Sequence, residues 1–278
     1  HTTCPHYWRE GQDGESEEAF ASRCAQDLDD MIQSEGPETV AAFIAEPVMG
    51  AGGVVVPPAT YWEKIQAVLA KYDILLIADE VICGFGRTGN MFGSTTFDIK
   101  PDILTMSKQI TSSYFPFSAF MINDRVYQPI ADESGRIGVL GHGYTGGGHP
   151  VGAAVALENI KIIEERDLVA NAAERGAELQ AGLTDLTSHP LVGEARGIGL
   201  IGALELIAPE GKSGDFAPGK LGAQMNAIML RNGLISRNMT DAMAFCPPLI
   251  VGANDVREII QITKKSLEEL AADINGAA

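Results

Sequence analysis

Apolar positions recur along this chain with two periods, and the alternation between them predicts its elements. Phe20, Cys24, Leu28, Met31 and Ile32 fall at helical spacing and predict a helix over 17–34. After Glu35, Gly36 and Pro37, the run 40–48 (VAAFIAEPV) is short, apolar and bounded by breakers, which predicts a strand buried on both faces. Pro57 and Pro58 introduce a second helix with Trp62, Ile65, Val68, Leu69 and Tyr72 on one face, and Thr60 and Glu63 have the spacing of a capping box. Further buried strands are predicted at 74–81 (ILLIADEV), 103–106 and 117–122.

The second half has a different texture. Small and apolar residues follow Pro150, and the pattern stays amphipathic to about Leu186. A strand is predicted at 198–207, a helix near 221–231, shorter strands near 234–237 and 244–246, and a terminal helix over 255–273. Continuously apolar strands interleaved with amphipathic helices predict an α/β architecture with a mainly parallel sheet. The expected boundary lies near residue 165, between a large domain at 1–165 and a smaller α+β domain at 166–278.

Composition narrows the class. The 278 residues are 45% hydrophobic and 21% charged, an ordinary balance for a folded chain. Against 20 basic side chains stand 37 acidic ones, a formal charge of −17, which disfavours nucleic acid or anionic membrane surfaces as the main partner. No apolar run approaches the ~20 residues of a membrane span. Cys4, Cys24, Cys83 and Cys246 form no CxxC pair and share no metal-ligand spacing with the five histidines. Free thiols, no bound metal and a cytoplasmic location are the corresponding expectations.

In parallel sheets, ligands bind outside the carboxyl ends of the strands, so Glu46, Asp79, Glu80 and Lys108 become candidates by position. The GxGxxG match at 84–89 (GFGRTG) is set aside as a dinucleotide fingerprint, because NMFGSTTFDIKPD follows it and has no helical period. Asp79 and Lys108 lie 29 residues apart at the ends of two predicted strands. A carboxylate and an amine on one rim suit a pyridoxal phosphate enzyme, in which lysine forms the Schiff base and aspartate keeps the pyridine nitrogen protonated. A structural salt bridge fits the same two residues.

The segments AAFIAEPVMGAGGVVVPPATYW, LLIADEVICGFGRTG, PDILTMSKQITSSYFPFSAFMI, HGYTGGGHPVGAA and ARGIGLIGALEL occur in that order. Together they resemble the class III (omega) aminotransferases, of the fold type I pyridoxal phosphate enzymes, from about Pro5 to the C-terminus. The resemblance implies that Lys108 is the Schiff-base lysine and proton shuttle, that Asp79 partners the pyridine nitrogen, and that Val81 packs on the cofactor ring. Thr145 matches a threonine that reaches across a dimer interface to the cofactor phosphate of the neighbouring subunit. Arg237 matches the mobile arginine that binds the carboxylate of an oxo acid, and Glu46 resembles a glutamate that receives this arginine when the amine donor has no carboxylate.

The activity so implied is transfer of an amino group from an amine or omega-amino acid to an oxo acid, with pyruvate as the expected acceptor, in a homodimer. An aminomutase or decarboxylase of the same fold, or a cofactor-free fragment, are the alternatives. Two family elements, a GSEAN phosphate-binding turn and a YHG segment with a ring-stacking aromatic, do not occur in the chain, and Pro5–Trp8 resembles the part that follows them. The expected object is thus the C-terminal majority of an aminotransferase, its large domain truncated at the N-terminus.

Overall fold

The computed structural model describes residues 1–211 and 216–276. The chain forms two compact units. One comprises residues 1–47, 57–85 and 91–167, and the other 48–56, 86–90 and the chain from Leu168 onward.

The first unit opens with a single turn, α1 (Tyr7–Glu10), followed by α2 (Glu17–Glu35), whose N-cap Ser16 accepts a hydrogen bond from the Ala19 N–H. The face expected from the spacing is the one that packs: Phe20, Cys24, Leu28 and Ile32 are buried with Tyr61, Trp62, Ile65 and Leu69 of α3 (Tyr61–Lys71). Strands β1 (Ala42–Ala45), β2 (Leu75–Asp79), β3 (Ile103–Met106) and β4 (Ala119–Ile122) form a sheet in the order β1-β2-β3-β4. The pairs β1–β2 and β2–β3 are parallel, and β4 returns antiparallel to β3. The helices α4 (Gly93–Thr96), α5 (Asp124–Ile137) and α6 (Pro150–Glu165) complete the unit.

Several expectations change here. The strand expected at 40–48 shortens to β1, because Pro37–Thr39 form a 3-10 turn just before it and Pro47 follows it; in the four-stranded sheet of the described residues it is an outer strand, with Ile44 60% exposed. The capping box at α3 does not form: Thr60 takes the N-cap position without a side-chain cap, and its hydroxyl is buried without a hydrogen-bond partner. Helix α5 was not foreseen, since Pro129 lies inside it and none of its residues is buried.

The second unit holds α7 (Leu168–Asp185), β5 (Val192–Ile198), β6 (Ile201–Leu206), α8 (Lys220–Arg231), β7 (Arg237–Met239), β8 (Ala242–Phe245) and α9 (Ala253–Gly276). Its sheet is antiparallel throughout, in the order β5-β6-β8-β7. The one strand expected at 198–207 is in fact the second arm of a hairpin that turns at Gly199 and Leu200. Helix α7 is separate from α6, because Asp167 takes a left-handed conformation (φ 49°) between them.

Two short excursions of the first half belong to this unit. Arg87 is buried and donates from Nη1 to the carbonyls of Leu200 (2.9 Å) and Pro247 (2.5 Å). Arg196 donates to the Gly53 carbonyl from both Nε (2.9 Å) and Nη2 (2.6 Å), and to Glu205 from Nη2 (2.8 Å). Residues 86–89 of the GFGRTG segment are therefore part of the packing of this second unit. The segment opens no helix of the kind a dinucleotide fingerprint requires. None of the four cysteines forms a disulfide, and no helix among the described residues is long and apolar enough to cross a membrane.

Candidate active site

The parallel register brings three of the candidate residues to one rim. Ala45 pairs with Ala78, so Glu46 leaves β1 level with Asp79, the last residue of β2. Asp79 in turn pairs with Thr105 of β3, and Lys108 follows two residues after that strand ends. The chain thus sets a carboxylate, a second carboxylate and an amine at the carboxyl ends of three consecutive parallel strands, where the open edge of an α/β sheet receives ligands.

Each position has a local cause. Asp79 Oδ1 accepts the Val81 N–H at 3.0 Å, an Asx-type turn that fixes the carboxylate at the strand end. The next residue, Glu80, is fully buried and does different work. Its carboxylate accepts from the N–H of Gly93 (2.9 Å), the N–H of Ser94 (2.5 Å) and the Ser94 hydroxyl (2.6 Å), while its own N–H donates to the Thr105 carbonyl (2.9 Å). Glycine is required at 93, because a Cβ there would lie 2.7 Å from Pro47 Cβ and 2.9 Å from Cys83 Cβ. Glu80 therefore ties the loop after β2 back beneath the strand end that carries Asp79.

Lys108 opens a 3-10 turn, Lys108–Ile110, with its side chain exposed and its backbone left-handed at φ 47°. Ser112 (φ 47°) and Ser113 (φ 64°) share that conformation. For residues with a Cβ, each such position costs about 1–2 kcal/mol, and outliers of this kind cluster at functional sites. The strain is held by hydroxyls: Ser107 Oγ donates to the Phe117 carbonyl (3.1 Å) and Thr111 Oγ1 to the Phe115 carbonyl (2.8 Å).

The remaining candidates lie elsewhere. Val81 is half-buried on the loop after Asp79. Thr145 is exposed in a turn closed by the Gly147 N–H on the Tyr144 carbonyl (2.8 Å), ahead of α6, and among the described residues no hydrogen bond joins it to Asp79 or Lys108. Arg237 belongs to the second unit, where it begins β7 opposite Ala244 with its side chain exposed.

Comparison with known proteins places the chain in a family. The family model for class-III aminotransferases matches residues 7–267. The chain belongs to the class-III aminotransferases. It is 48% identical over 270 residues to a mitochondrial gamma aminobutyrate transaminase 1 of Solanum lycopersicum, covering 97% of this chain and 52% of that protein. It is 46% identical to a diaminobutyrate–2-oxoglutarate transaminase of Halomonas elongata, covering 97% of this chain and 59% of the relative. Among solved structures, a transaminase with L-Ala superposes with a TM-score of 0.96 at 62% identity, over 99% of this chain and 65% of that one. An omega transaminase from Pseudomonas jessenii in complex with PMP superposes with a TM-score of 0.94 at 55% identity, over 100% of this chain and 62% of that one. The chain spans about half to two thirds of the length of these relatives, and its fold is that of the fold type I pyridoxal phosphate transferases.

Class-III aminotransferases use pyridoxal 5'-phosphate. The donor set at the rim suits that group at two of its ends: an exposed primary amine on Lys108 for the aldehyde, and a carboxylate on Asp79, one strand away, for the ring nitrogen. For the phosphate, the family-matched position present in the chain is the hydroxyl of Thr145. The position of Lys108 and Asp79 was legible from strand ends alone. Ser112 and Asn159, whose side chains meet at 2.9 Å beside the Lys108 turn, carry no sequence signal, since a lone serine in a loop and a lone asparagine in a helix match many surface positions.

Proposed function

We propose that this chain carries the catalytic lysine half of a pyridoxal phosphate-dependent transaminase that moves an amino group from an amine or omega-amino acid to an oxo acid. The observation that carries the proposal is the delivery of Asp79 and Lys108 to the carboxyl ends of adjacent parallel strands in a class-III aminotransferase. When bound, pyridoxal phosphate supplies an aldehyde that condenses with amines and a ring that accepts the electron pair left by a departing proton. The protein's own groups do the rest. The Lys108 amine would hold the group through its aldehyde carbon and, once freed by the donor amine, would act as the general base that moves a proton between the substrate carbon and that aldehyde carbon. Asp79, held by the Val81 N–H, would keep a proton on the ring nitrogen, and Val81 would pack on the ring. Thr145 would donate a hydrogen bond from its hydroxyl to the cofactor phosphate of a neighbouring subunit.

By the family resemblance, Arg237 takes the carboxylate of the oxo acid with its planar fork, and Glu46 has its role with donors that carry no carboxylate. Pyruvate is the proposed acceptor. The relative solved with L-Ala supports it, since alanine and pyruvate differ by the amino group transferred. A homodimer is proposed on the apolar side chains the first unit leaves exposed: Phe120 and Met121 of β4, Tyr127 and Ile137 of α5, and Leu157 of α6.

The test is a pair of half-reactions with cofactor-loaded protein. Loss of the cofactor's visible band with an amine, and its return with pyruvate but not with 2-oxoglutarate, supports the proposal. Return with 2-oxoglutarate alone overturns the choice of acceptor, and carbon dioxide release without amino transfer overturns the transaminase reading.

A further inference from the structure

The turn that carries Lys108 is grasped by one side chain from α6. Asn159 Nδ2 donates to the Gln109 carbonyl at 2.6 Å and to the Ile110 carbonyl at 3.3 Å, and its Oδ1 accepts from Ser112 Oγ at 2.9 Å. Ser112 Oγ also receives Gln109 Nε2 at 2.8 Å, which closes a ring of polar contacts around the two residues that follow the lysine. The amide orientation is set by its partners, because only the NH2 end can face two carbonyls.

The helix comes close enough to do this because Gly152 lies within its first turn; a Cβ there would meet Phe117 Cδ2 at 2.6 Å. Left-handed backbone at Lys108, Ser112 and Ser113, without a glycine among them, persists only where the surroundings over-determine it. Among the described residues, Asn159 engages the loop's backbone carbonyls from outside it.

We infer that Asn159 is a positioning residue for Lys108: it holds the strained turn after β3 so that the lysine amine is presented at the rim beside Asp79. The inference rests on the role proposed above for Lys108. Replacement of Asn159 by aspartate keeps the shape but sets a carboxylate oxygen against two carbonyls, which reverses the interaction.

The experiment compares the parent chain with Asn159→Asp and, as a milder variant that keeps α6 intact, Ser112→Ala. Amide hydrogen exchange is followed over 107–114, with α9 as the internal reference. In the same samples, pyridoxal phosphate is added, fixed with borohydride, and its share on Lys108 relative to the other lysines is mapped by mass spectrometry. For Asn159→Asp we expect exchange over 107–114 to accelerate roughly tenfold with α9 unchanged, the size expected when one well-made hydrogen bond is lost. The Lys108 share of cofactor should fall severalfold, and Ser112→Ala should shift both readings in the same direction by less.

Unchanged exchange over 107–114 overturns the inference. So does faster exchange with the Lys108 share intact, since the turn would then be dispensable for presenting the amine. If the parent chain places no cofactor on Lys108, the proposed function fails instead, and the exchange measurement alone decides whether Asn159 holds the turn. If Asn159→Asp does not fold, Ser112→Ala decides by the same two readings.

Discussion

The carboxylate of Glu80, itself fully buried, accepts both the amide N–H and the hydroxyl of Ser94 across thirteen intervening residues. This link closes the loop that begins directly after Asp79, so the strand end that carries one candidate catalytic group is anchored by the residue beside it. Removing the carboxylate leaves three buried donors without an acceptor. Glu80→Ala is therefore expected to destabilise the chain by about 3 kcal/mol, and Ser94→Ala by about 1 kcal/mol. Urea unfolding measures both, and a Glu80→Ala midpoint equal to that of the parent would refute the anchoring role.

In the second unit the comparable element is Arg196, whose guanidinium joins Glu205, Glu194 and the Gly53 carbonyl while itself 9% exposed. Taking away the guanidinium removes the hydrogen bonds it gives to both carboxylates and to the Gly53 carbonyl. Arg196→Met is expected to cost about 3–5 kcal/mol. Arg196→Lys should also destabilise, because a point charge cannot reproduce the planar fork. Calorimetric unfolding of the two variants checks the order, and a lysine variant as stable as the parent would contradict it.

Acid sensitivity has a specific source in the N-terminal segment. Glu15 accepts from Arg23 Nε (2.9 Å) and Nη2 (2.8 Å) and from the Gln12 N–H (2.9 Å). The Arg23 hydrogen bonds, foremost, hold its carboxyl near a pKa of about 2, against an ordinary value of 4.5. A carboxyl depressed in the folded state contributes stability above its unfolded pKa and loses it as pH falls through its folded one. Glu15→Gln should therefore melt below the parent at neutral pH, and the gap should close between about pH 4.5 and about pH 2. Melting temperatures of both proteins across that range test it, and a gap independent of pH would rule the pair out.

Much of the first unit was legible because its signals are strong ones. Phe20, Cys24, Leu28 and Ile32 repeat at helical spacing and bury together, and the apolar stretch ILLIA that opens 74–81 suits a strand flanked on both sides by others. What was not legible depended on distant partners. The sequence around Ile44 reads as interior, yet it lies on an outer strand of the described sheet, and periodicity does not report how many strands lie beyond. The Thr60–Glu63 spacing promised a cap that the backbone at Thr60 does not deliver. The assignment of 48–56 and 86–90 to the second unit rests on Arg196 and Arg87, which act across more than a hundred residues of sequence. Lys108 and Asp79 stood out because strand ends in a parallel sheet converge on one rim. Asn159 did not, because its role exists only once α6 is folded against the turn.

The central claim is that Lys108 is the amine that takes the cofactor. The direct measurement is borohydride fixation of pyridoxal phosphate on the chain, followed by peptide mapping, with Lys108→Ala alongside. The account predicts one dominant modified peptide containing Lys108 and loss of the visible absorbance band in the variant. Modification spread evenly over the surface lysines, or an unchanged band in Lys108→Ala, would contradict it.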